Sequence, residues 1–281
     1  MRLVNNLKTT LLLGALIGLC MLIGHLFLGP QGVFFGLLFG GFANLLAFFY
    51  SDRIAMLAMG GREVQRAELP WLFDLVEQLA TRAGLPMPRI FVCPQAAPNA
   101  FATGRSPRHA ALAVTRGMLE NFPEHELEGV IAHELAHIKH RDMLISTLAA
   151  VMAGLISYAG YMLMFFGGRR DNPLGALGAI LMIVLAPLAA TLIRLAISRS
   201  REYAADAYAG ELCGDPYKLV AALQRLSRGN ERIPTETPPA FHSLYTVQPL
   251  SRSELASWFS THPPIAKRIA ALQTQAARMR Q

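Results

Sequence analysis

Charge and cysteine are both scarce in this chain. Only 16% of its 281 residues are Asp, Glu, Lys or Arg, and three are Cys. Cys20, Cys93 and Cys213 are odd in number and widely separated, so no disulfide framework is implied and the hydrophilic parts are expected in a reducing compartment. The missing charge is missing in blocks. Thr9–Leu28, Val33–Tyr50 and Met143–Gly167 contain none, and Leu174–Ile197 contains only Arg194. These runs are 18 to 25 residues long, enough to cross a hydrocarbon core of roughly 30 Å. Buried core helices are normally shorter and amphipathic, so four membrane spans are expected, with the lipid bilayer as a partner.

The first run could also be a signal peptide, since Arg2 and Lys8 give it a basic start. No small-x-small cleavage site follows, and the next apolar run begins after only "GPQG", so a retained hairpin fits better. Basic residues crowd the N-terminus, residues 51–142 and the tail after Ile197, while "GPQG" has none. The positive-inside rule places those three segments in the cytoplasm. Arg169 and Arg170, in the second hairpin turn, oppose this assignment but are outnumbered. The net charge of +7 is spread rather than clustered, which excludes an evident nucleic-acid surface.

The expected organisation is a transmembrane hairpin at 1–50, a cytoplasmic block at 51–142, a second hairpin at 143–197 and a second cytoplasmic block at 198–281. In the first block, "ELPWLFDLVEQLATRAGLP" reads as a helix with Pro70 near its start and Gly84 at its end, and with Leu72, Leu75, Leu79 and Ala83 at helical spacing. "RIFVCP" (89–94) alternates as a short strand, "HAALAVTRGML" as a strand passing into a helix, and Pro123 opens another helix. In the second block helices are expected to end at Gly214 and Gly229. Residues 230–261 read as irregular, and a basic helix ends the chain.

The chemistry concentrates in "HELAH", residues 133–137. His133 and His137, one turn apart, share a helix face and can both reach one zinc ion. Glu134 beside them is placed to take a proton from the attacking water. The bland alternative is a pair of satisfied surface histidines. A catalytic zinc keeps three protein ligands. His140 lies a further turn along, too far for a shared tetrahedral site. A metzincin needs Gly at 140 and His at 143, where this chain has His140 and Met143. Glu202 and Asp206, four residues apart in "SREYAADAYAG", are the remaining candidates, although such a pair also fits a solvated helix face.

His-Glu-Leu-Ala-His leading into a hydrophobic hairpin, followed by Glu202-x-x-x-Asp206, resembles the HtpX family of bacterial membrane metalloproteases, which are related to the CAAX prenyl proteases. "PNAFATG" (98–104), "AVTRGML" (113–119) and "THPPIAKRI" (261–269) fit as well, so the resemblance covers essentially the whole chain. It implies a mainly α fold with a small β-sheet, four transmembrane helices and a cytoplasmic zincin-type domain in the bacterial inner membrane. It implies one Zn2+ per chain, with Glu202 as third ligand and Asp206 orienting a ligand histidine. Asn99, Ala100 and Phe101 would be the edge that pairs with substrate backbone. His262 or Arg268 would steady the oxyanion or brace the active-site helix. The implied activity is endoproteolysis of misfolded or damaged membrane proteins, a quality-control and stress-response task.

Two rivals have a sequence basis. An intramembrane protease also uses His-Glu-x-x-His, and "DNP" at 171–173 faintly matches its second motif, but Lys139, Arg141 and Asp142 would be costly at bilayer depth. A zinc transporter would carry ligands inside its spans, where these runs hold only His25.

Overall fold

A computed structural model of the protein describes residues 2–145, 199–230 and 263–281. Most of the second expected hairpin, the irregular stretch and His262 lie outside the described residues.

Helix α1 (Arg2–Ala58) holds the first two apolar runs and is interrupted twice, at Gly29 and Tyr50. Gly29 adopts φ 62°, ψ −148°, open to glycine alone, and Pro30 follows it. The chain therefore turns back on itself at "GPQG". Gly32, Gly36 and Gly40 recur at one-turn spacing and are buried. A Cβ on Gly32 would stand 1.8 Å from the Gly24 carbonyl oxygen, and one on Gly36 2.3 Å from that of Cys20. Small residues let the two backbones touch, as in packed membrane helices. The outward side is apolar and bare: Phe34, Phe39 and Phe42 are 60–65% exposed. No single helix among the described residues is long and apolar enough to cross a membrane. One bent pair, Leu28–Ala43 with Leu45–Ala58 at 43°, qualifies by length and composition.

The sheet has the order β1-β2-β4-β3, with β1 at Arg62–Glu63, β2 at Arg89–Cys93, β3 at Ala100–Gly104 and β4 at Ala110–Thr115. β2 and β4 run parallel, and β3 returns antiparallel to β4 as the edge strand. Alternation gives each face its own work. Ile90, Leu112 and Val114 meet the helical layer, while Phe91, Cys93 and Ala113 meet Ala55, Met56 and Met59 at the end of α1. The apolar hairpin is thus continuous with a helix that packs on the sheet.

Helix α2 (Pro70–Ala83) is stopped by Gly84 at φ 65°, and it buries Leu72, Leu75, Leu79 and Ala83 as the spacing predicts. Short α3 (Arg116–Asn121) is capped by the Thr115 side chain, which accepts from the Met118 N–H. Then come α4 (Glu124–His140), α5 (Arg199–Cys213), α6 (Tyr217–Asn230) and α7 (Ile265–Met279). α5 ends before Gly214 as expected. α6 continues past the expected stop at Gly229, to Asn230.

Candidate active site

Helix α4 is the spine of the site. Arg225 on α6 donates to both carboxylate oxygens of Glu126, at 2.6 and 2.8 Å, and Lys218 reaches Glu128 at 2.6 Å. Leu127, Ile131, Leu135 and Ile138 face the core, which leaves His133, Glu134 and His137 to meet α5 and β3.

The Nε2 atoms of His133 and His137 lie 3.1 Å apart, with the rings nearly perpendicular. Glu202 on α5 brings Oε2 to 3.7 Å from His133 Nε2 and Oε1 to 3.6 Å from His137 Nε2. One ligand atom from each of the three lies within 4.8 Å of the others. The face of α5 that carries Glu202 and Asp206 is buried, 4% and 1% exposed, so the solvated-face alternative is excluded. His140 stays outside this group, its ring 5.7 Å from that of Tyr208.

Each histidine has a carboxylate behind it. Asp206 Oδ1 is 3.0 Å from His133 Nδ1, and Asp142 Oδ1 is 3.1 Å from His137 Nδ1. A carboxylate at Nδ1 favours the tautomer with its proton there, which turns the Nε2 lone pair inward. Two lone pairs and a carboxylate then converge on one point, an arrangement that a divalent cation satisfies. Two nitrogens on one tetrahedral zinc at about 2.0–2.1 Å stand roughly 3.3 Å apart, close to the spacing found. The donor set fits. The same crowding acts on protons: burial would lower the His137 pKa, but Asp142, Glu202 and Glu134 raise it to about 10.

Asp142 was legible only as a flanking surface charge. It is 2% exposed. The motif helix does not run on into the apolar stretch; Arg141 ends it in the left-handed region (φ 59°, ψ 34°). The chain turns there, and Asp142 folds back under His137 before a helical turn restarts at Met143.

Arg268 on α7 is fully buried. Its Nε and Nη2 donate to Asp206 Oδ2 and Oδ1 at 2.8 and 2.6 Å, and Nη1 lies 3.9 Å from Glu202 Oε2. Burial would raise the Asp206 pKa, but the Arg268 charge and hydrogen bonds, with those of His133, hold it at about 2. That carboxylate is ionised across the working range.

Glu134 is 4% exposed. Its Oε2 accepts the Ala102 N–H at 2.9 Å, which ties it to edge strand β3. The Asn99 N–H donates to Thr115 Oγ1 and its carbonyl accepts from Thr115 N–H, so Asn99 faces β4. By the alternation of an antiparallel ladder, Ala100, Ala102 and Gly104 turn their backbones the other way. Asn99, Ala100 and Phe101 are themselves 0–3% exposed, with Phe101 packed towards α1.

Fold and site define a metallopeptidase built on His-Glu-x-x-His with a downstream glutamate. Residues 66–276 match the family model of peptidase family M48. The protease HtpX homolog of a Sulfurihydrogenibium species is 45% identical over 98% of this chain and 97% of its own length. That of Thermodesulfovibrio yellowstonii is 46% identical over 98% and 99%. The crystal structure of S. mikatae Ste24p shares the fold, with a TM-score of 0.53 at 21% identity, covering 96% of this chain and 65% of that one. The chain belongs to peptidase family M48, among the HtpX proteases.

Proposed function

We propose that this chain is a zinc-dependent endopeptidase anchored by four spans in the bacterial cytoplasmic membrane, with its catalytic side facing the cytoplasm. Its substrates are misfolded or damaged membrane proteins, cut in their cytoplasmic regions. The observation that carries the chemistry is the convergence of His133, His137 and Glu202 beside a Glu134 held on an edge strand. The bare apolar side of the α1 hairpin supports the membrane, and the loop charges support the orientation.

His133, His137 and Glu202 would hold the zinc, which when bound polarises the scissile carbonyl and acidifies the attacking water. Glu134 accepts the proton from that water and delivers it to the leaving amine. Asp206 and Asp142 fix the two imidazoles, and Arg268 acts through Asp206 as a positioning residue. Within Asn99–Phe101, the outward-turned backbone of Ala100 is the strand edge for extended substrate, pairing through backbone groups and so weakly selective.

The test is zinc analysis beside casein cleavage, on wild type and Glu134→Gln in detergent. A glutamine carbonyl can still accept the Ala102 N–H, so zinc should stay at about one per chain while cleavage and self-cleavage vanish. Cleavage at wild-type rate by this variant overturns the mechanism. Reporter fusions after Tyr50 and at the C-terminus should score cytoplasmic, and fusions at Gln31 and Asn172 external.

A further inference from the structure

Beside the second kink of α1 lies a cleft of about 620 Å³ that the catalytic chemistry does not use. One wall is apolar: Leu45, Leu46 and Phe49 line it and are 58%, 40% and 48% exposed. Four arginines line the cleft as well, Arg53, Arg89, Arg105 and Arg108. The lone acid of the lining is Asp52, and Arg89 is hydrogen-bonded to it. Arg105 is held in place, donating to the Phe49 carbonyl at 3.0 Å and lying over the Phe49 ring at 5.4 Å. Arg53 lies over Tyr50 in the same way. Arg108 is exposed and has no acidic partner among the described residues. It also borders a neighbouring cleft with Lys139 and Arg141, so the basic lining continues to the end of the metal-binding helix.

We infer that this cleft binds one anionic phospholipid, its phosphate among the arginines and its acyl chains along Leu45, Leu46 and Phe49. The inference rests on the membrane-bound reading above. Charge complementarity selects the headgroup. Excess guanidinium matches a phosphate, and with Asp52 engaged by Arg89 no carboxylate is left to receive a choline or ethanolamine ammonium. The apolar wall selects the source, because free phosphate gains nothing from exposed Leu and Phe, whereas acyl chains bury them. The position agrees too: a basic lining directly beyond an apolar helix lies where anionic headgroups gather.

The test uses full-length protein in detergent, with phosphatidylglycerol retention read by native mass spectrometry and phosphatidylcholine and inorganic phosphate as parallel probes. One phosphatidylglycerol should stay bound per chain, while phosphatidylcholine is lost and millimolar phosphate fails to displace the lipid. Arg53→Gln with Arg108→Gln, neither of which has an acidic partner among the described residues, should weaken retention roughly thirtyfold. Arg116→Gln, on α3 away from the cleft, should not. Equal retention of both lipids, displacement by phosphate, or undiminished binding in the double variant overturns the site. Vesicle flotation separates the two readings. A chain that floats with neutral vesicles yet shows no lipid preference disproves the site alone, and one that floats with no vesicle disproves membrane anchoring.

Discussion

Asp142 stands 3.1 Å from the Nδ1 of His137, although it lies beyond the end of the helix that carries His137. The contact exists because Arg141 leaves the helix in a left-handed conformation and reverses the chain. The metal site is therefore coupled to the junction where the third apolar run of the sequence begins, and a helix running straight on would carry Asp142 away from His137.

Asp142→Ala should weaken zinc binding by about 10–100-fold, the usual loss when an outer partner of a ligand histidine is removed. Asp142→Asn keeps an acceptor for Nδ1–H but loses the charge, so it should fall between Ala and wild type. Competition with a chromogenic chelator measures all three. Equal affinities would show that the contact does not tune the site.

Arg268 and Asp206 form a buried pair in which each satisfies the other. Arg268→Leu strands the Asp206 carboxylate and should cost roughly 3–5 kcal/mol of stability. Adding Asp206→Leu should restore much of that stability, because an apolar pair of similar bulk is tolerated. It should not restore activity, since with Asp206 gone His133 loses its acceptor. Thermal melts and casein turnover across the single and double variants separate the two effects. Recovery of both together would reduce the pair to a structural brace.

The parts of this site differ in how far the sequence reveals them. His133 and His137 are legible because helical spacing alone puts them on one face. Glu202 lies on a helix 65 residues after His137 in the numbering, and no local pattern links them; only resemblance does. Arg268 offered a signal that composition hides. Leu272 and Ala276 share its face at four-residue steps, and all three are buried. An arginine on an apolar stripe needs a buried acid, which a count of basic residues cannot show. Asp142 gave no such signal, because arginine rarely adopts the positive φ that Arg141 takes. The Gly32–Gly36–Gly40 stripe was readable as a close helix contact once the turn at Gly29 was assigned.

Cys93 and Cys213 should be inert in the folded protein. Burial pushes both thiols from 9.0 to about 12, so at pH 8 only about one in ten thousand is thiolate. Iodoacetamide at pH 8 should leave both unmodified until denaturant is added, as read by peptide mass mapping. The folded state keeps protons that the unfolded state releases above pH 9, so this contribution is complete below pH 9 and declines as pH rises towards 12.

The last prediction concerns the hydrogen bond from Ala102 to Glu134. The Ala102 N–H points away from β4, so removing it breaks no rung of the sheet, and edge strands admit proline at such positions. Ala102→Pro deletes this donor and puts its Cδ where the amide hydrogen stood, so the Glu134 carboxylate must move off the strand. Zinc content should remain at the wild-type level, because none of the three ligands is touched. Turnover of casein should fall about 100-fold or more, towards the roughly 10²–10⁴-fold that a positioned general base contributes. Glu134→Gln bounds the experiment from below, since it keeps the geometry and loses the base. A proline variant that binds zinc and cleaves at the wild-type rate would show that Glu134 needs no hold from the edge strand.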